Sequence, residues 1–278
     1  MNIYTDGEGL LIVCNNNDDL KNGVKILGDD YTPDEIQQWF EDETQGYADI
    51  VPESHKDNFD EYKNVTYRYL FQYIKNINFV NALIYGGGYG TEILPILEQL
   101  NNIIILEPGN KFKRDYIGNK RVKYIFPTPS GNMMFGDKTF DLITCLGVLH
   151  HVPNVSFILS EFYRVLNVNG YVLIREPITS MHIFEKRRRK GATARERGIP
   201  LTPFQAIIKR IGFIVERECV HGFAPITKLP PGVKFSKPMM ILDEILCKAF
   251  LWNYTYNEYS FIKKFRPTSV SYVLRKGS

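Results

Sequence analysis

Residues 83–92 read Leu-Ile-Tyr-Gly-Gly-Gly-Tyr-Gly-Thr-Glu, and no other stretch constrains the fold of this chain as tightly. An apolar strand runs into a glycine-dense turn and out into the start of a helix. A strand that enters a helix through such a turn belongs to a parallel βαβ unit, not to a hairpin or a helical bundle. Glycines in the turn let the backbone bend sharply and approach a ligand with no Cβ in the way. They fall at 86, 88 and 90, a GxGxG spacing. A dinucleotide fingerprint, GxGxxG, would need glycine where Thr91 stands, so nicotinamide and flavin cofactors are disfavoured.

From residue 80 onward short apolar strands alternate with helical stretches. The strand candidates are 80–85, 102–106, 122–126, 140–145, 170–175 and 213–219, with a last strand over 269–275. Helical patterns lie near 90–100, 110–118, 154–167 and 202–211. This alternation signals a parallel sheet with helices on both faces. An aromatic-rich block at 222–266, containing the helix-like run 239–252, is expected to pack over the carboxyl edge of the sheet, where ligands bind in open α/β folds. Upstream, residues 9–14 and 24–27 read as a small hairpin. Thr32-Pro33-Asp34-Glu35 reads as a helix start, and a longer helix is expected near 56–77.

Three further motifs follow the glycine turn in order. Strand 102–106 ends at Glu107, about twenty residues after the turn begins, where an acid can accept hydrogen bonds from both hydroxyls of a ribose. Residues 140–153, Phe-Asp-Leu-Ile-Thr-Cys-Leu-Gly-Val-Leu-His-His-Val-Pro, carry a strand into a loop with two adjacent histidines. Residues 161–171, Glu-Phe-Tyr-Arg-Val-Leu-Asn-Val-Asn-Gly-Tyr, form a helix, a turn and a fifth strand that leads to Glu176.

With these four blocks in this order, residues 80–220 resemble the class I S-adenosylmethionine-dependent methyltransferases, in particular the small-molecule and sugar O-methyltransferase-like group. The resemblance implies an α/β fold: a doubly wound, seven-stranded Rossmann-like sheet with its last strand antiparallel. To this the chain adds an acidic N-terminal extension (1–55, hairpin plus helix). Residues 56–278 would form the methyltransferase domain, with acceptor-side insertions at 182–200 and 222–266. The resemblance also implies that Gly86, Gly88 and Gly90 line the methionine and ribose portions of S-adenosylmethionine. Glu107 would take the ribose hydroxyls, Pro108 would lie beside the adenine, and Leu146 and Gly147 would close over the cofactor. Three positions depart from the family pattern, one of them the end of the RVL motif, Asn167-Val168-Asn169-Gly170, where Lys-Pro-Gly-Gly is common. Ile84 stands where an acid usually precedes the first glycine, and Pro127–Asn132 replaces the region of an adenine-binding Asp, leaving Ser130 or Asn132 as substitutes.

Methyl transfer to a hydroxyl needs a base near the transferred methyl, and neutral imidazole suits that work at pH 7. His150 and His151 are the catalytic candidates. Glu176, His182 and His221 rank behind them. A metal site is not expected, because adjacent histidines rarely aim both rings at one ion.

The net charge of +3 hides a split: residues 1–61 sum to −13 and the remainder to +16. Its densest basic part, residues 182–200, includes Arg187, Arg188 and Arg189, whose guanidinium forks suit a phosphate or carboxylate. They favour a small anionic acceptor. The acidic extension would repel a nucleic-acid backbone. It is expected either to cover the basic face as a lid or to meet another subunit in a homo-oligomer. The four cysteines form no CxxC pair, no signal peptide is evident, and no run approaches the ~20 apolar residues of a membrane span, so a cytoplasmic, membrane-free protein is expected. Three readings stand: a small-molecule O-methyltransferase, an RNA methyltransferase, and a methyltransferase-fold binding protein without catalysis.

Overall fold

The computed structural model describes residues 2–5, 11–14, 17–50, 63–181, 183, 193–257 and 260–277. Strands β1 (Asn2–Thr5) and β2 (Leu11–Cys14) pair antiparallel, with Asn2 opposite Cys14. The partner of 11–14 thus lies upstream, not at 24–27 as expected. Asn17–Lys21 instead forms helix α1, with Asp18 and Asp19 at its positive end, and Ile26 and Leu27 are buried in the core. Helix α2 (Pro33–Ile50) starts as the sequence indicates. The Thr32 amide and hydroxyl each donate to Glu35 Oε2 at 2.8 Å, and Pro33 takes the first helical position. Of the helix expected near 56–77, the described part is α3 (Lys63–Tyr69) and a single 3-10 turn, Phe71–Tyr73.

The main sheet contains β3 (Phe79–Tyr85), β4 (Leu100–Leu106), β5 (Tyr116–Ile117), β6 (Lys120–Ile125), β7 (Phe140–Leu146), β8 (Leu166–Pro177), β9 (Phe213–Phe223) and β10 (Pro267–Lys276), in the order β5-β6-β4-β3-β7-β8-β10-β9. Five central strands run parallel, and β10 lies antiparallel between β8 and β9. This is the expected doubly wound sheet plus an eighth, two-residue strand. In place of the helix expected at 110–118, Asn110–Phe112 makes a single 3-10 turn and the extra strand takes 116–117. Tyr116 and Ile117 favour extended backbone, and Gly118-Asn119 turns them back onto Lys120 and Arg121.

Helices α4 (Val155–Val165) and α5 (Leu201–Ile211) cover one face, and α6 (Ala224–Thr227), α7 (Pro231–Lys234) and α8 (Lys237–Ala249) make up the block before the last strand. After the glycine turn, Thr91–Gln99 winds as a 3-10 helix in place of an α-helix; Pro95 in its middle supplies no amide donor. Along β3, Leu83 and Tyr85 join one core and Ala82 and Ile84 the other, the period of two expected of a strand buried on both faces. Chain order reverses where β3 has β4 on one side and β7 on the other. Ligand clefts of open α/β sheets form beyond the carboxyl ends of the strands at such a point.

Candidate active site

Three adjoining cavities open there. The first, about 780 Å³, is mainly apolar and runs between Glu107, Pro108, Pro127–Pro129 and Gly147 on the sheet side and Phe40, Thr44 and Tyr47 of α2 on the other. The second, about 610 Å³, follows the turn 84–93 and takes in Thr144, Leu146 and Gly147. The third, about 1310 Å³, lies beyond Leu146 and Gly147 under the block 222–243. Gly147 and Tyr47 border all three.

Glu107 is 6% exposed, with Oε2 accepting from the Gly88 amide and Oε1 from the Gly109 amide, both at 2.8 Å. Burial nonetheless pushes its carboxyl up against the pull of those two bonds. The left-handed backbone at Gly90 (φ +70°) brings it so near Ile117 that a Cβ would sit 2.2 Å from that side chain. At Gly88 the protein leaves space instead, since the nearest heavy atom to an added Cβ would be the Tyr47 hydroxyl at 3.8 Å. Ile84, the apolar residue in the acid's usual place, is buried. An acid is present nearby all the same: Glu92 pairs with Arg175 at 2.9 Å where the second and third cavities meet, and Arg175 also bonds Thr66. Ser130 and Asn132 do not reach the first cavity. They are exposed and bond within their own turn, and Thr128, Pro129 and Gly131 form that wall.

The turn Leu149–His151 carries both histidines. Glu176, at the end of β8 and 1% exposed, anchors it. Its Oε1 accepts from the amides of Val148 and Leu149 at 2.8 Å, and its Oε2 accepts from the His150 amide at 3.3 Å and lies 2.8 Å from His150 Nδ1. A carboxylate there fixes the Nδ1–H tautomer and leaves the Nε2 lone pair for chemistry. Burial, then the charge of His151, holds the His150 ring below the ordinary histidine value, so it is neutral at pH 7. His151 Nδ1 lies 2.6 Å from Glu43 of α2, which also accepts from the Thr193 hydroxyl at 2.6 Å and the Arg195 amide at 2.8 Å. Burial alone would raise the Glu43 carboxyl, but the bonds and charge of His151, with Thr193 and Arg195, hold it low.

Contrary to the sequence argument against convergence, the two rings tilt together, with centroids 4.0 Å apart. One donor atom from each, with one from Glu196, lie within 4.8 Å of one another. Other candidates fall elsewhere. His221 lines the third cavity, stacked on Tyr69 and bonded to Ser271, and burial lowers its pKa to about 3. Arg187, Arg188, Arg189 and His182 lie outside the described residues. Arg195 and Arg197, from the same basic stretch, face inward: Arg195 pairs with Asp42 at 2.6 Å, and the fully buried Arg197 donates to the carbonyls of Leu27, Leu149, Val152 and Pro153.

Residues 83–174, which span the glycine turn, Glu107, both histidines and β8 as far as Ile174, match a family model described as a methyltransferase domain. Over that stretch the chain carries a methyltransferase domain. In fold the chain is similar to a SAM-dependent methyltransferase from Archaeoglobus fulgidus (TM-score 0.53, 16% identity, 81% of this chain and 97% of that one). It is likewise similar to an S-adenosylmethionine-dependent methyltransferase from Mesorhizobium loti (TM-score 0.51, 15% identity, 76% and 97%). In sequence it is 26% identical over 178 residues, 54% of this chain, to "Probable polyketide synthase 42" of Dictyostelium discoideum. The chain spans 5–7% of the length of the curated relatives it matches.

S-adenosylmethionine is the cofactor that a methyltransferase domain of this fold implies, and the cleft fits it. The buried Thr144 hydroxyl lacks a protein partner at the wall of the second cavity. Gly88 leaves a cradle that a Cβ would fill, and each Glu107 oxygen keeps a lone pair beyond its amide bond. The expected cofactor residues Gly86, Gly88, Gly90, Glu107, Pro108, Leu146 and Gly147 all border this cleft. Sequence reasoning missed the wall opposite. Phe40, Glu43, Thr44 and Tyr47 follow an i, i+3, i+4, i+7 spacing, a single helix face that was legible as such. It also ranked Glu176 among the weaker bases, not as the group that orients one.

Proposed function

We propose that this methyltransferase methylates a hydroxyl of a small molecule held in the third cavity, with His150 removing the hydroxyl proton. The observation that carries this reading is the buried His150–Glu176 couple, which supplies a neutral imidazole of fixed tautomer in the wall of the third cavity, beside Gly147 of the cofactor cleft. When bound, S-adenosylmethionine supplies the methyl as a sulfonium electrophile. Pro108 and the 127–131 wall hold its adenine, Glu107 its ribose hydroxyls, and the 86–90 turn with Leu146 and Gly147 its methionine arm. Glu92 and Arg175 take the ammonium and carboxylate of that arm, in place of the acid that Ile84 does not supply. Glu176 stabilises the imidazolium that forms as His150 takes the proton, and His151, tied to Glu43, packs against the base and positions it.

Within this reading residues 56–278 are the transferase body, and the 1–55 extension contributes a wall to it. The preference for an anionic acceptor rests on Arg187, Arg188 and Arg189. Among the described residues, the cavity lining sets Glu92, Glu176, Glu196 and Asp243 against Arg175 and Lys234, which supports RNA less than a small molecule. A second reading takes the acceptor from the polyketide synthase relatives. A carbon between two carbonyls is acidic enough for the same imidazole to deprotonate.

Calorimetric titration with S-adenosylmethionine and S-adenosylhomocysteine should give one site per chain. S-adenosylhomocysteine release should then be followed over hydroxylated, anionic and β-dicarbonyl small molecules and over RNA. His150→Ala should abolish turnover and retain cofactor binding. Absence of cofactor binding at millimolar concentration, or wild-type turnover in His150→Ala, would defeat the proposal.

A further inference from the structure

Proton removal at His150 leaves the convergence of His150, His151 and Glu196 unaccounted for. His150 Nε2 stands 3.7 Å from Glu196 Oε1. That is long for a hydrogen bond, but near the roughly 3–3.5 Å that separates two ligands on one ion with bonds of about 2.0–2.1 Å. Both histidines are backed by buried carboxylates, His150 Nδ1 by Glu176 and His151 Nδ1 by Glu43. The other oxygen of Glu196 is fixed by the Thr193 amide at 3.1 Å. Carboxylates behind ligating imidazoles fix the rings and raise their donor strength. All three side chains border the third cavity, so an ion among them would keep open positions toward solvent or a ligand.

We infer that His150, His151 and Glu196 form a site for one divalent transition-metal ion, of the class that includes Zn²⁺. Two imidazoles and one carboxylate suit Zn²⁺, Co²⁺ and Ni²⁺ and discriminate against Mg²⁺ and Ca²⁺, which require mostly oxygen ligands. The site goes beyond methyl transfer and does not depend on it. An ion on His150 Nε2 occupies the lone pair through which the ring would accept a proton, so metal loading and base catalysis exclude each other.

The chelator-treated full chain should be titrated calorimetrically with Zn²⁺ and Mg²⁺, and with Co²⁺ by visible absorption. One Zn²⁺ should bind per chain with micromolar or tighter affinity, Mg²⁺ should give no binding at millimolar concentration, and Co²⁺ should show the absorption of a four- or five-coordinate site. Glu196→Gln and His151→Ala should each weaken Zn²⁺ binding at least tenfold, and Glu176→Gln by about 10–100-fold. Melting curves check that the variants fold. If one of them does not, the Co²⁺ spectrum and the Zn²⁺/Mg²⁺ contrast of the unaltered chain still decide. No Zn²⁺ binding, equal binding of Mg²⁺, or unchanged Zn²⁺ affinity in folded Glu196→Gln and His151→Ala would overturn the site. Failure of methyl transfer leaves these titrations unaffected, so the two readings fail separately.

Discussion

Replacing Glu176 with glutamine changes one atom and tests the whole arrangement around His150. In the native site four N–H donors face the carboxylate, the Val148 and Leu149 amides on Oε1 and the His150 amide and Nδ1 on Oε2, and the Cys145 thiol also reaches Oε1 at 4.0 Å. A glutamine has one acceptor oxygen and must turn an NH₂ toward one of these pairs. The arrangement that keeps the two 2.8 Å amide bonds places the NH₂ against His150 Nδ1. The ring then has to accept there and move its proton to Nε2, where it can no longer act as a base. Turnover should fall by about 10²–10⁴, the contribution of a positioned general base. Loss of a buried charge-assisted bond costs about 1.5–3 kcal/mol. At about 2–4 °C per kcal/mol for a chain of this size class, Tm should drop by roughly 3–12 °C. Histidine-selective ¹⁵N labelling reads the tautomer directly. Wild type should carry its His150 proton on Nδ1 and the variant on Nε2. A wild-type protein protonated on Nε2, or a variant with unchanged tautomer and turnover, would refute the reasoning.

Gly90→Ala meets Ile117 in a left-handed backbone and should cost about 2–5 kcal/mol in thermal or denaturant unfolding. Gly88→Ala should cost only about 1–2 kcal/mol but weaken S-adenosylhomocysteine at least tenfold by calorimetry, because its Cβ enters the cofactor's space. Glu92→Gln should weaken S-adenosylhomocysteine about tenfold and leave 5′-methylthioadenosine, which lacks the amino-acid end, unchanged; equal losses for both would remove Glu92 from that role. Burial lowers the His221 pKa to about 3, so the unfolded chain binds a proton that the native chain refuses. Its contribution to stability is complete above the ordinary histidine pKa and falls by about 1.4 kcal/mol per pH unit below it, toward pH 3. Denaturant unfolding across this range should show that slope flattened in His221→Asn.

The central strands were legible because both their faces are apolar and their ends are marked by glycine, proline or acid. Leu83–Glu92, Glu107 and Phe140–His151 accordingly lie where their spacing put them. Local pattern failed where a nonlocal partner or a single backbone constraint outweighed it. Pro95 turned an apparent α-helix into a 3-10 helix, and Gly118-Asn119 turned another into a strand pair. The strand at 2–5 has only two apolar residues, Ile3 and Tyr4, and left a weak signal. At the site, residues tied to the glycine turn by short sequence distance were found. Glu43, Tyr47 and Trp39 were not, since the site groups they meet, His151 and Phe112, lie more than sixty residues away. Trp39, for instance, donates to the His151 carbonyl at 2.7 Å. Nor does charge counting reveal that Arg195 and Arg197 point inward, a matter settled only when Asp42 and four backbone carbonyls surround them.

The position of α2 has a thermodynamic consequence. One face of this helix walls the first cavity through Phe40, Thr44 and Tyr47, while Glu43 holds His151 and Trp39 holds its carbonyl. Any fluctuation that lifts α2 therefore opens the cofactor cleft and releases His151 together. Ligand that binds only the closed form must slow amide exchange in both places by the same factor, although they are distant in sequence. Affinity for the cofactor and rigidity of His151 are, on this architecture, a single equilibrium.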